Sequence, residues 1–295
     1  MEGSHAQSGN TTKKWLIGCG IGCGAIVIIV AVLIAAGFFF VKNIVTEFKD
    51  TEAMMSTLTE RYGRIEDFCP EPDGSIKPER LQAFLEARAE YAPIREKISR
   101  SLDALSKGKD SGEVEIKKPK NVVKMIRLGF GIIPQIAEFI KTRNQALLNV
   151  EMGMGEYYYL YVIVYYSWLG KQPEDGPDFQ IVGPDYEEDR FRYWDREDIK
   201  EDRRERMLRR TSRMILPMMR CQLQKLEGQN TGPSLEQWRM ALTAEIKAME
   251  ADNEHLPWQD GVPEVLDASL RPFKTRLEAS YLPTTNPLEM VLEHR

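Results

Sequence analysis

The sequence predicts an all-α protein, an N-terminal transmembrane helix followed by a helical-bundle body. Three observations carry this. Residues 15–41 contain no charged side chain, the later apolar residues recur at spacings of three and four, and Pro and Gly cluster between those periodic segments. With 42% hydrophobic and 29% charged residues in a chain of 295, the body has the composition of a folded core and not of a disordered segment. The net charge of -5 gives no basic footprint, so no nucleic-acid partner is expected.

Residues 1–14 read as a polar tail and 15–41 as the transmembrane helix. Wound as a helix, that run would reach about 40 Å against a hydrocarbon core of about 30 Å, which makes the lipid bilayer its expected partner. A cleaved signal fits less well, because Ala35-Ala36-Gly37 imitates a cleavage site but Phe38-Phe39-Phe40 follows at once. Leu16-Ile17-Gly18-Cys19 has the look of a lipoprotein box, yet its apolar stretch follows the cysteine instead of preceding it. Gly18, Gly20, Gly22 and Gly24 give overlapping small-xxx-small spacings, a route to a homodimer, although glycine is common in membrane helices generally. Cys19 and Cys23 share a helical face without the histidine or carboxylate that a metal would need.

Lys13 and Lys14 before the span favour a cytoplasmic N-terminus on the inner (plasma) membrane, with a periplasmic or extracytoplasmic body. In such a compartment Cys69 and Cys221 could form a disulfide, and two buried thiols are the competing reading.

Residues 42–72 read as a helical stalk and turn. The first part of the body, 73–170, opens at the turn pair Asp73-Gly74, with Pro78 suited to the first position of a helix. Leu81, Phe84, Leu85, Ile94, Ile98, Leu102 and Leu105 then form one apolar stripe, with a bend expected at Pro93. A polar loop is expected at 106–120. Helical spacing resumes through Ile126, Ile133, Ile136, Phe139, Ile140 and Leu147, with Gly129, Gly131 and Pro134 marking a kink. "GEYYYLYVIVYYSWLG", 155–170, holds six of the chain's 11 tyrosines and is too short to span a bilayer, so it reads as the central helix of the bundle.

A loop at 171–186 separates the second part, 187–295. Its long first helix pairs Asp202 with Arg206 and Glu205 with Arg209 at helical spacing. Arg203, Arg206, Arg209, Arg210 and Arg213 form a candidate surface for an acidic partner or lipid headgroups, against the alternative of a solvated face. Ser234 and Gln237 have capping-box spacing before the stripe of Leu235, Trp238, Leu242, Ile246 and Met249. Pro263 opens a last helix carrying Leu266, Leu270, Phe273, Leu277 and Tyr281, and Leu288 and Val291 are expected to dock the tail.

Catalytic and metal patterns are not evident. His5, His255 and His294 have no companion at ligand spacing, and neither a phosphate loop nor a nucleophile elbow occurs, so no catalytic residue, metal or cofactor is expected. Glu156 is either a buried acid at the mouth of the aromatic helix or a first-turn carboxylate favoured by the helix dipole.

Trp15 to Gly20, "DGSIKPERLQAFLEARAEYAP" at 73–93, the aromatic helix and "RLEASYLPTTNPLEMVLE" at 276–293 together resemble uncharacterised bacterial single-pass membrane-anchored helical proteins. That resemblance implies a bacterial source and an envelope location, and it carries no activity to any residue. The expected function is therefore a membrane-tethered helical binding or scaffold protein of the cell envelope, without catalysis and with a protein partner of unknown identity. The alternative is a carrier or sensor of an apolar small ligand, in a cavity lined by helix 156–169 through Glu156, Tyr161, Tyr165 and Trp168.

Overall fold

The structure, a computed structural model, describes residues 52–110, 119–177, 196–228 and 232–291. They are all-helical, with no strand among them. Helix α1 occupies 52–62 and ends at Gly63, whose φ of 81° supplies the left-handed turn and whose N–H bonds back to Thr59 O at 2.9 Å. Helices α2 (Pro78–Glu90) and α3 (Ala92–Asp110) follow, then α4 (Pro119–Asn149) and α5 (Met154–Tyr161), which continues as a π-helix through Val162–Trp168. Beyond the loop come α6 (Arg196–Glu227), α7 (Pro233–Ala251), α8 (Glu264–Leu270), α9 (Lys274–Ser280) and α10 (Asn286–Val291).

Residues 50–295 cluster as one compact unit. Leu58 of α1 is buried, and Met55 and Tyr62 pack against the same core. At the centre lies the aromatic helix, where Tyr157 to Tyr166 are all buried. Helices α2 and α3 pack on α4, α6 packs on α7, and α2 also meets α9.

Several boundaries moved for identifiable reasons. The expected single helix from Pro78 breaks at Tyr91, because Pro93 lacks the N–H that would bond the preceding turn and its ring disfavours helix just before it. Helix α3 runs on to Asp110 and helix resumes at Pro119, so both ends of the loop expected at 106–120 are helical, and 111–118 lie outside the described residues. Helix α4 continues through Pro134. At α7 the expected cap at Ser234 is replaced by Gly232 at the N-cap with Pro233 as the first helical residue. The last apolar helix is interrupted by a tight turn at Arg271–Phe273 around Pro272, while Leu266, Leu270 and Leu277 keep one buried face.

The expected membrane localisation is corrected. No helix among the described residues is long and apolar enough to cross a membrane, so a single-pass membrane protein with an outward body is not supported. The physical reason is visible in the helices: the aromatic one is apolar but short, and the long ones carry a charged face. The run 15–41, with Gly18, Gly20, Gly22 and Gly24, lies outside the described residues.

Candidate functional site

Arg88 near the end of α2, Tyr91 at the break and Arg95 in the first turn of α3 follow one another at spacings of three and four. They continue the inward row of Leu81 and Phe84 and hand over to Ile98 and Leu102. Two guanidinium groups are thus carried into the core, where Arg88 is 0% and Arg95 4% exposed. Charges at such depth require partners. The partner is Glu289 of α10, itself 0% exposed.

One carboxylate oxygen, Oε2, accepts from Arg88 Nη1 at 2.5 Å, Tyr157 at 2.6 Å and Tyr91 at 3.3 Å. The other, Oε1, accepts from Arg88 Nη2 and Arg95 Nη1, each at 3.3 Å. Burial pushes the Glu289 carboxyl upward, but the two arginines and the bonds from Arg88 and Tyr157 outweigh it and hold the pKa at about 2. Tyr91 is pushed up to about 12 by burial, and Tyr157 rises well above its ordinary value for the same reason. At neutral pH the cluster therefore holds two cations, one anion and neutral phenols.

The remaining positive charge is spread over two kinds of partner. Arg88 Nη2 and Arg95 Nη1 each donate to Ser280 O at 2.8 Å, at the negative end of α9. The Arg88 guanidinium lies 4.8 Å from the Tyr165 ring centre and 5.2 Å from that of Tyr161, and Arg95 lies 4.9 Å from that of Tyr91.

Asn286, one helical turn before Glu289, ties the same segment to the aromatic helix. Its Oδ1 accepts from Tyr161 at 2.9 Å and Tyr166 at 2.7 Å, and its Nδ2 donates to Pro173 O at 3.0 Å and Asp175 O at 3.1 Å. The amide is fully used. In an α-helix residues five apart point about 140° away from each other. The π-helix that begins at Val162 is what brings both hydroxyls to one oxygen. The tail is thus docked by two polar side chains and Met290, all buried, with half-buried Leu288 on the core beside them, and the side chain of Val291 lies outside the description.

The residues expected to line a ligand cavity are each engaged by protein. Glu156 accepts from Arg80 Nε and Nη2, both at 2.6 Å, and Trp168 donates to Asp267 at 2.7 Å. The Tyr165 hydroxyl meets Ser280 Oγ at 2.6 Å, and the Tyr161 and Tyr165 rings stand 4.8 Å apart. Space beside those rings is taken up by Arg88. A surface depression lies elsewhere, bordered by Glu90, Ile94, Lys97 and Glu138.

The expected arginine surface divides. Arg203 is buried and donates to Glu174 O at 2.9 Å and Pro177 O at 2.5 Å, so it clamps the segment that follows the aromatic helix instead of facing a partner. Arg210 is half-buried. Arg206 pairs with Asp202, Arg209 with Glu205 and Glu254, and Arg213 is exposed. Cys69 and Cys221 are joined by a disulfide across 152 residues, and Gln222 Nε2 donates to Glu71 O at 2.6 Å beside it. His255 lies 2.9 Å from Glu245, which also accepts from Trp258 N at 2.6 Å. Among the described residues no cluster of three or more His, Cys, Asp or Glu is placed to hold a metal.

Sequence reading missed Arg88, Arg95, Asn286 and Glu289. The signal was present for the arginines, two charges in phase with an apolar stripe, but nothing local marks Glu289 as their partner. No protein-family model matches the chain, and neither a curated protein nor a solved structure is significantly similar to it.

Proposed function

We propose that the chain is a helical binding or scaffold protein that acts by docking and not by catalysis. One observation carries the reading: the buried and half-buried acceptors Glu289, Glu156 and Asn286 are each taken up by the protein's own donors. Glu289 is held by Arg88 and Arg95, Glu156 by Arg80, and Asn286 by Tyr161 and Tyr166. Groups so engaged fix a shape, whereas general acid–base work needs a group within reach of a substrate proton. The outward face of α6, with Arg206, Arg209 and Arg213, is the contact surface, and it suits an acidic partner.

A photo-crosslinking residue at Arg213, in cells that make the protein, should give one discrete adduct that the same probe at exposed Met240 of α7 does not give. Adducts absent from both positions would count against the reading. Native mass spectrometry of the purified chain supplies the contrast: a small organic molecule released on denaturation would favour the carrier instead.

A further inference from the structure

We propose that Arg88, Arg95, Tyr91 and Tyr157 form a carboxylate-recognition site, which the chain's own C-terminal strap, residues 283–291, occupies in cis through Glu289. The first support is that the donors are held in place by bonds that do not involve Glu289. Arg88 and Arg95 converge on Ser280 O, Arg95 Nη2 donates to Arg88 O at 3.0 Å, and the Tyr91 and Tyr157 hydroxyls stand 2.6 Å apart. Arg88 in addition lies beside the edge-on pair of rings of Tyr161 and Tyr165, 5.2 and 4.8 Å from their centres. A simple ion pair orients both partners mutually, but here one side is preorganised as a receptor is.

Donor capacity exceeds what the strap uses. Two guanidinium groups face one carboxylate, and Arg88 Nε and Arg95 Nε are buried without a hydrogen-bond partner among the described residues. Without Glu289 the pocket would hold two buried cations and could close only around an anion. Its geometry selects a planar two-oxygen group, with three donors converging on one oxygen and two on the other.

The strap has the layout of a ligand. It joins α9 through Tyr281 and Leu282, both extended, and all the polar contacts of Asn286 and Glu289 named above reach outside it. A segment bearing an amide and, three residues later, a carboxylate would meet the same partners in trans. The ligand chemistry is a carboxylate, delivered either by such a segment or by a small free acid. Crosslinking from Arg213 reports the outer face of α6 and the tests below report this pocket, so either proposal can fail alone.

Replacing Glu289 by Ala removes a fragment the size of acetate. The full-length Glu289→Ala chain should melt about 10 °C lower than the parent. Sodium acetate in the millimolar range should recover much of that loss, propionate less, and sodium chloride at equal ionic strength almost none. Glu289→Gln, whose amide fills the space, should not respond to acetate. Equal responses to acetate and chloride, or a Glu289→Ala chain that fails to fold with and without acetate, would overturn the proposal.

A second arm keeps the parent residues. A protease site inserted after Leu282 is cut once the full chain has folded, and a fluorescent strap peptide, Pro283 to Val291, is offered in excess. Exchange is expected, with at least tenfold preference over the peptide carrying Glu289→Gln. Competition by acetate would identify a small acid as a sufficient ligand, and exchange insensitive to acetate would identify the segment. Equal affinity for the two peptides, or no exchange of the cut strap, would overturn the site.

Discussion

Glu289 and Arg88 lie 201 residues apart in sequence and 2.5 Å apart in the fold, both without exposure to solvent. The last helix of the described chain is therefore fastened to the first long one through its interior. Taking either charge away leaves the other buried and unpaired, a loss of about 3–5 kcal/mol that surface ion pairs never approach.

Acid should expose this pair. The Glu289 carboxyl is depressed from 4.5 to about 2 in the fold, so its contribution is complete above pH 4.5 and is lost as pH falls towards 2. The stability difference between the parent and Glu289→Gln should be constant above pH 5 and shrink by about 3 kcal/mol below it, read by urea denaturation at each pH. A difference independent of pH would mean that the carboxylate is not the group that matters.

Alkali should act on the aromatic helix. Burial raises Tyr157, Tyr161, Tyr165 and Tyr166, and lifts Tyr91 to about 12, so the phenols are neutral in the fold and their contribution is complete below pH 10. Stability should fall as pH rises from 10 towards 12. Absorbance of phenolate should then appear in two steps, exposed tyrosines first and the buried set together with loss of helical circular dichroism.

Loss of the Cys69–Cys221 bond should cost about 5 kcal/mol in the chain-entropy picture, since it closes a separation of 152 residues. Urea midpoints of the parent and of a Cys69→Ser, Cys221→Ser chain measure this directly. The same pair of chains shows whether the segment around Glu71 and Pro72, which receives bonds from Gln222 and Trp238, stays docked, through its hydrogen exchange.

Asn286 concentrates four bonds in one amide, and Asn286→Ala should destabilise by about 2–4 kcal/mol by leaving two buried hydroxyls without an acceptor. Tyr166→Phe removes one donor and keeps the ring, so about 1 kcal/mol is expected. Thermal melts of the two variants should keep that order.

Apolar periodicity made the helices legible, because burial repeats with the helical turn: Trp238, Leu242, Ile246 and Met249 are buried as their spacing requires, and so are Leu266, Leu270 and Leu277. The same rule hid the candidate site. Reading only apolar residues as inward passes over Arg88 and Arg95, which occupy inward positions in phase with the stripe; in the tail Leu288 packs on the core as expected, while Asn286 and Glu289, which apolar spacing does not mark, carry the buried polar contacts. Pairing across 201 residues has no local signature. The meeting of Tyr161 and Tyr166 on one oxygen depends on a π-helix, which no three-and-four spacing announces. Apolarity was also read as a membrane span, and among the described helices none bears that out.

The most direct measurement is a double-mutant cycle between Arg88→Met and Glu289→Gln, followed by urea denaturation of the full-length chain. A buried and preorganised pair should give a coupling energy of about 2 kcal/mol or more. Coupling below about 0.5 kcal/mol, the size of an exposed ion pair, would contradict a core built around the held carboxylate.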